Sequence, residues 1–384
     1  MKIVLSGVET NNKGAELMLY AILQQVKKVA PDSEVFIPAN MVRQGLQYVK
    51  TDVKLQYLPV TIVSKVCTKL KITGLLNRLG VYSPMLNNTC PIKDIDYFID
   101  GSGLLFSDKR ITNRLTAVSW QNQLKEYHRH GARIVFLPQG FGPFNKQVTK
   151  DTIAALDKYA DLIFAREQVS FSELKSITDN SDKIKLYPDF TSLVDGECPE
   201  AYKHLSGKVC VIPNFQMVAK GVVSRENYLC LLHSLIETCR NKDFGVYLLN
   251  HEGIKDELLA KEYKDRYNDD IEVVTDLNAI EVKGLISTAY LVISSRFHGV
   301  ASSLNTYVPC LATSWHHKYE ELFKDFGMKD CVLPIGDIEA SKQKVLSFLD
   351  ADTNQSIRKS LSKHKPAIME KNKEMWRLIW NLKK

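Results

Sequence analysis

Short runs of β-branched and aromatic residues, each closed by Gly, Ser or Asn, alternate along the chain with longer stretches whose apolar positions recur at helical spacing. "KIVLSG" precedes "GAELMLYAILQQVKKVA", "DYFIDGSG" precedes a polar loop and "ITNRLTAVSWQNQLKEYHRHG", and "RIVFLPQGFGPF" precedes "TKDTIAALDKYA". Such alternation predicts parallel strands covered by helices on both faces. The rhythm restarts after residue 205 with "KVCVIPN", a helix over "RENYLCLLHSLIETCR", then "FGVYLLNHEG", "IEVVTD", "AYLVISS" and "YVPCLATS". Between the two series, "YPDFTSLVDGECPEAYKHLSG" is rich in turn formers and poor in pattern, which makes it the expected linker. The expected fold class is α/β, with two doubly wound domains facing each other over a cleft. They span residues 1–195 and 205–345, followed by a basic amphipathic helix at 350–384 that carries Met369, Trp376, Ile379 and Trp380 on one side.

Composition changes this picture little. With 384 residues, 45% hydrophobic and 25% charged, the chain is long enough for two cores. The net charge of +7 arises from 51 basic against 44 acidic residues, so the surface is mixed and only mildly favours an anionic partner. Eight cysteines form no Cys-x-x-Cys pair, and Cys210, Cys230 and Cys310 sit within or beside apolar runs. They are expected to be buried free thiols in a reducing compartment. The opening "MKIVLSG" turns polar too soon for a signal peptide, and no apolar stretch reaches the roughly 18 residues of a membrane helix, so the expected location is cytoplasmic. "HRHGAR" at 128–133 has the form of a helix end with a glycine stop, and without interleaved aromatics it gives no nucleic-acid partner.

Ligands of open α/β sheets bind beyond the carboxyl ends of the strands, which directs attention to the loops. In "LVISSRFHGVASS", residues 291–303, Arg296 and His298 stand where a buried strand gives way to a helix start. A helix N-terminus beside a guanidinium fork and an imidazole suits a phosphate or carboxylate. The competing explanation is that Arg296 pairs with an acid or caps a helix while His298 is a satisfied packing residue.

The stretch "SSRFHGVASSLNTYVPCLATSWHHKYEELFKDFG" resembles the polysaccharide pyruvyl transferase family, with its Arg-x-His at this strand end followed by an aromatic-Lys segment. The resemblance extends through "NKGAELML", "DYFIDGSGLLFSD", "LPQGFGPF", "AREQVS" and "VIPNFQM", in the family's order. One departure is Asn305-Thr306-Tyr307-Val308-Pro309, where many relatives carry glycine before Val-Pro. The resemblance implies two Rossmann-like domains of GT-B type, with the C-terminal domain holding the donor, the N-terminal domain the acceptor, and the terminal helix packing back across the domains. It also implies that phosphoenolpyruvate is the donor substrate, with no further cofactor, and that its pyruvyl group passes to sugar hydroxyls, closing a ketal on a lipid-linked oligosaccharide during capsular or exopolysaccharide assembly. Arg296 and His298 would then be catalytic, and Arg166, Arg296, His298 and Lys318 would bind the donor. For Arg166 the competing explanation is a structural salt bridge with Glu167 or another acid; for Lys318 it is a solvated helix lysine.

On the acceptor side, the loops "GVETNNKGAELM", "DGSGLLF" and "LPQGFGPF" offer Asn12, Gly14, Gly101, Ser102, Gly103 and Gln139. Neither of the first two loops completes a nucleotide fingerprint. They let a sugar approach the backbone, or serve tight turns. His251 follows a strand in "LLNHEG" as a further candidate or a turn residue, and adjacent His316 and His317 argue against a shared metal. No paired acids stand at a strand end, so no metal is expected. From Val53 to Lys93 there is no Asp or Glu, and Lys65, Lys69, Lys71 and Arg78 mix with leucines. This basic amphipathic insertion at about 60–90 is either a contact to the anionic inner face of a membrane or a lid packed on the N-terminal core. A nucleotide-sugar glycosyltransferase and a non-catalytic assembly scaffold remain the competing functions.

Overall fold

The computed structural model describes residues 1–42, 44–58, 72, 75, 79, 92–178, 182–313 and 318–383. The expected insertion at 60–90 lies almost wholly outside the described residues, as do His316 and His317.

The chain forms two compact units, the first comprising Met1–Thr10, Met18–Phe190 and Lys371–Lys384, the second Asn11–Leu17 and Thr191–Glu370. In the first, seven strands are ordered β3-β2-β1-β4-β5-β6-β7, all parallel. They are β1 (Lys2–Ser6), β2 (Glu34–Pro38), β3 (Lys54–Leu58), β4 (Tyr97–Asp100), β5 (Arg133–Gln139), β6 (Leu162–Ala165) and β7 (Ile184–Leu186). Strands β4 and β6 are buried along their whole length, as expected of apolar strands in a sheet covered on both faces, β4 ending on the buried Asp100. Helices α1 (Lys13–Val29), α2 (Arg114–Arg129), α3 (Gln147–Tyr159) and α4 (Gln168–Ile177) follow the periodic stretches. The α2 helix starts where the Asn113 side chain accepts from the Thr116 amide, and stops at Gly131, whose φ of +79° is costly for a residue with a Cβ. One face of the sheet is closed by an aromatic cluster in which Phe98 meets Tyr127 at 4.9 Å and Phe106 meets Trp120 and Phe136 at 5.1 and 5.4 Å.

The second unit repeats the plan with five parallel strands ordered β10-β9-β8-β11-β12. These are β8 (Val209–Ile212), β9 (Val246–Leu249), β10 (Glu272–Val274), β11 (Leu291–Ser294) and β12 (Cys310–Ala312). Its helices are α5 (Gln216–Ala219), α6 (Arg225–Arg240), α7 (Gly253–Tyr267), α8 (Ala279–Ser287), α9 (Phe297–Asn305), α10 (Lys318–Asp325) and α11 (Ile338–Leu349), and α12 (Ala351–Trp380) ends the chain. In both sheets the chain winds outward from a central strand and then returns to that strand's other side. The switch points therefore lie between β1 and β4 and between β8 and β11.

The expected linker is only partly a linker. From Thr191 onward it is folded onto α8, where Gly196 and Gly284 approach so closely that a Cβ on Gly196 would lie 2.7 Å from the Gly284 Cα. The Glu197 amide donates to the Ile280 carbonyl at 3.1 Å, and the buried Lys283 ammonium donates to the Thr191 carbonyl at 2.9 Å. The segment Asn11–Leu17, expected in the N-terminal domain, belongs to the second unit. Helix α12 belongs to the second unit through Glu370 and to the first from Lys371. Its last turns are held in the first unit by Trp380 edge-on to Tyr97 at 5.3 Å, Trp376 edge-on to Phe190 at 6.2 Å, and Tyr187 donating to Glu374 at 2.9 Å. Among the described residues no helix is long and apolar enough to cross a membrane, and Cys210, Cys239, Cys310 and Cys331 are buried free thiols while Cys198 and Cys230 are half-buried ones.

Candidate functional site

The switch point of the second unit is where the loop after β11 turns into α9. That loop is latched by buried polar groups. The Ser295 carbonyl accepts from the Asn214 side-chain amide and from the Tyr319 hydroxyl, both at 2.9 Å. The Ser295 hydroxyl bonds Thr313 and, at 2.7 Å, Tyr228, whose own oxygen accepts from the Asn214 amide at 3.0 Å. Burial pushes the Tyr228 phenol up to about 12, so it remains a neutral donor and acceptor. Gly299 lets α9 press on the strand end, since a Cβ there would lie 2.5 Å from the Ser294 hydroxyl.

Arg296 is the N-cap residue of α9. Its guanidinium forks onto Asp256 of α7, with Nε to Oδ2 at 2.8 Å and Nη2 to Oδ1 at 2.7 Å, and Nη1 pairs with Glu252. Burial pulls the guanidinium down to about 10, still far above neutrality. Burial pushes the Asp256 carboxyl up to about 7 even though the Phe215 amide, donating at 2.9 Å, acts in the opposite sense; the Arg296 fork favours its charged form. The expectation of an arginine open to the donor is thus modified: its charge is already compensated by two acids, the arrangement held out as its competing explanation.

His298 lies in the first turn of α9, where the amides have no carbonyl one turn earlier to bond and the helix dipole favours an anion. Its ring rests on Gly14, where an added Cβ would be 2.6 Å from the His298 Cγ. Asn12 and Gly14, expected on the acceptor side, are therefore part of the seat of His298. Asn12 is engaged as the cap of α1, its Oδ1 accepting from the Gly14 amide at 2.9 Å, and it forms an antiparallel bridge with Glu252. The Lys13 amide donates to the His251 carbonyl at 3.2 Å, while its ammonium meets the fully buried Glu16 at 2.9 Å. Lys318 is not simply solvated: its ammonium lies 5.2 Å from the centre of the Phe297 ring, beside His298.

The other expected site residues lie in the first unit, at the ends of β4, β5 and β6. Asp100 is fully buried and accepts from the Ser102 amide and hydroxyl at 3.1 Å and from Gln139 Nε2 at 3.0 Å. Burial raises its carboxyl, and these bonds counter the rise. Gln139, expected to meet an acceptor hydroxyl, is fully buried and spends its amide on Asp100; Ser102 is likewise turned to Asp100. Gly101 packs against Val8 and Ile22, whereas Gly103 is half-buried, a Cβ there meeting Met18 at 3.7 Å. Arg166 is 6% exposed and stands 3.7 Å from Asp189, while Glu167 caps α4 through the Ser170 amide.

The profile of one protein family, polysaccharide pyruvyl transferase, matches residues 12–317, a span that runs from the Asn12 cap through the Arg-x-His turn. The chain belongs to the polysaccharide pyruvyl transferase family. No curated protein matches it. Solved structures resemble it over nearly its whole length at low identity. A putative UDP-N-acetylglucosamine 2-epimerase from Listeria monocytogenes has 12% identity and a TM-score of 0.63, covering 98% of this chain and 95% of its own. HepE from Anabaena in complex with UDP and glucose has 10% identity and a TM-score of 0.63, covering 99% of both chains. UDP-GlcNAc 2-epimerase from Neisseria meningitidis, bound to UDP-GlcNAc, has 10% identity and a TM-score of 0.63, covering all of both chains. These likenesses establish the fold, two Rossmann-like α/β domains of GT-B type.

In this pyruvyl transferase family member, several site residues escaped sequence reasoning. Asp256 and Glu252 stand on and before a helix with no feature that marks them as partners of Arg296. Lys13 and Glu16 sit inside "NKGAE", where only the asparagine and glycine drew notice. Asp100 had a signal, an acid between an apolar run and a glycine loop. Among the described residues no group of three or more His, Cys, Asp or Glu is placed to hold a metal ion.

Proposed function

We propose that the chain transfers the pyruvyl group of phosphoenolpyruvate to a pair of sugar hydroxyls on a lipid-linked glycan, closing a ketal and releasing inorganic phosphate. The observation that carries this reading is the gathering of His298, Arg296 and Lys318 around the first turn of α9 at the switch point of the second unit. The donor joins a phosphate and a carboxylate on a small frame, and such a ligand suits a helix N-terminus with imidazole and ammonium donors beside it. The enol carbon takes a proton, a sugar oxygen bonds the adjacent carbon, the carbon–oxygen bond to phosphate breaks, and a second hydroxyl of the same sugar closes the ring. His298 is the group assigned to the proton or to the departing phosphate. Arg296, tied to Asp256 and Glu252, holds the helix start and the local field. Arg166, in the first unit, is retained as a donor-side cation to be tested by Arg166→Ala. Gly103 and the loop after β4 are the acceptor-side candidates, with Gly101, Ser102 and Gln139 shaping that loop around Asp100. The reaction as written needs no metal or further cofactor.

The test is mass spectrometry of a lipid-linked glycan pool incubated with enzyme and phosphoenolpyruvate. The expected product gains the mass of one pyruvic acid less one water, and His298→Ala largely abolishes that gain while donor binding partly survives. Absence of the gain with active-folded wild-type protein refutes the reading. A nucleotide-sugar reaction is the second reading, favoured by the whole-chain likeness to proteins solved with UDP or UDP-GlcNAc. The two separate by which ligand raises the melting temperature.

A further inference from the structure

The two acids on Arg296 are held very differently. Asp256 takes Nε and Nη2 together, has a side chain that is 0% exposed, and also accepts the Phe215 amide. Glu252 takes Nη1 alone, and its side chain is 31% exposed. Its main chain is fixed by the bridge to Asn12, and it is the N-cap residue of α7, yet its side chain makes no cap hydrogen bond. The carboxylate can therefore leave Arg296 without unmaking the bridge or the helix. Room adjoins it, since a Cβ on the next residue, Gly253, would meet nothing within 4 Å. A second seat is also at hand. The first amides of a helix have no intrahelical partner and favour a carboxylate. Glu167, the N-cap residue of α4, shows a glutamate of this chain using such a seat, accepting from the amide three residues on at 2.8 Å. For Glu252 the corresponding amide is that of Lys255 in the first turn of α7. With both acids ionised, one guanidinium faces two carboxylates, and the negative charge in excess opposes any anion at the first turn of α9.

We propose that Glu252 is a displaceable counter-ion: its carboxylate holds Nη1 of Arg296 until an anionic oxygen of the donor takes that nitrogen over, and it then turns to the start of α7. The exchange replaces one charge-assisted bond on Arg296 by another and carries the excess negative charge away from the ligand. Asp256, enclosed and forked, keeps the guanidinium oriented throughout. The identity of the donor rests on the pyruvyl-transfer reading; the exchange needs only an anionic ligand at this turn.

The test is calorimetric titration of the full chain with phosphoenolpyruvate, the fold of each variant being checked by circular dichroism. Glu252→Ala, which removes the competing carboxylate, is expected to tighten binding roughly ten-fold, the low end for a hydrogen bond to a charged group because the carboxylate is partly in water. Glu252→Gln, which keeps the shape without the charge, is expected to tighten it by less. A purely structural role predicts the reverse, since a loosened Arg296 would bind the ligand more weakly. Unchanged or weaker affinity in folded Glu252→Ala overturns the inference; should that variant not fold, Glu252→Gln is read in the same way. If neither wild-type protein nor the variants bind phosphoenolpyruvate, the pyruvyl-transfer reading fails on its own, and the titrations are repeated with UDP-GlcNAc. Tighter binding of UDP-GlcNAc by Glu252→Ala then supports the displaceable counter-ion, and no tightening with either ligand overturns it.

Discussion

Replacing Gly14 with alanine isolates the seat of His298. On helix propensity alone the change favours α1 by about 1 kcal/mol, because alanine loses less backbone freedom than glycine. The added Cβ, however, would stand 2.6 Å from the His298 Cγ and 3.0 Å from its Cβ, where ordinary contacts begin at 3.4 Å. Either the ring or the start of α1 must withdraw, and the bridge between Asn12 and Glu252 together with the Lys13–His251 bond holds that start in place. A retreat of roughly 1 Å by a reacting group is enough to lower turnover about 100-fold. The overpacking itself costs about 1–3 kcal/mol, partly offset by the propensity gain. Gly14→Ala is therefore expected to lose about two orders of magnitude in phosphate release from phosphoenolpyruvate while its melting temperature falls by only a few degrees. The assay is glycan-dependent release of inorganic phosphate, read beside circular dichroism. Wild-type turnover in a folded Gly14→Ala protein would refute the claim that the N-terminal segment positions His298.

Asp256→Asn leaves the Arg296 guanidinium buried with Glu252 alone, and should cost about 3 kcal/mol in chemical denaturation, the low end for breaking a buried pair; an unchanged midpoint would show the fork to be idle. Because the folded state depresses His251 below the unfolded value near 6.5, the unfolded chain binds the extra proton first as pH falls. This group's contribution is thus intact above about pH 6.5 and is lost below it at up to about 1.4 kcal/mol per pH unit, a slope that His251→Leu should lack. Tyr307 has a φ of +64°, the left-handed region that glycine adopts most readily, and Lys365 covers its ring at 4.7 Å. Relief of about 1–2 kcal/mol of backbone strain, set against glycine's entropy and the lost ring contact, should make Tyr307→Gly as stable as the parent or up to about 1 kcal/mol more so, with turnover unchanged. A clear loss of stability there would mean that the ring contact outweighs the strain.

What the sequence alone determined is what depends on near neighbours. Apolar runs specified β4, β8 and β11, helical spacing specified α1 and α6 almost to the residue and α2 to within three, and the loops at strand ends marked Arg296, His298 and Gly101. Tyr307 was visible as a departure, though not the left-handed backbone it occupies. The partners were not legible. Arg296 meets Asp256 forty residues away, His298 rests on Gly14 from the far end of the chain, and Gln139 turns inward to Asp100. Periodicity is written into each segment because a helix or strand must bury one of its own faces. Which acid compensates which arginine is decided only when the order of strands brings distant loops together, since many acids along the chain are equally able to pair. The tertiary structure therefore moved Asn12 and Gly14 from the acceptor side to the seat of His298 and compensated the charge of Arg296.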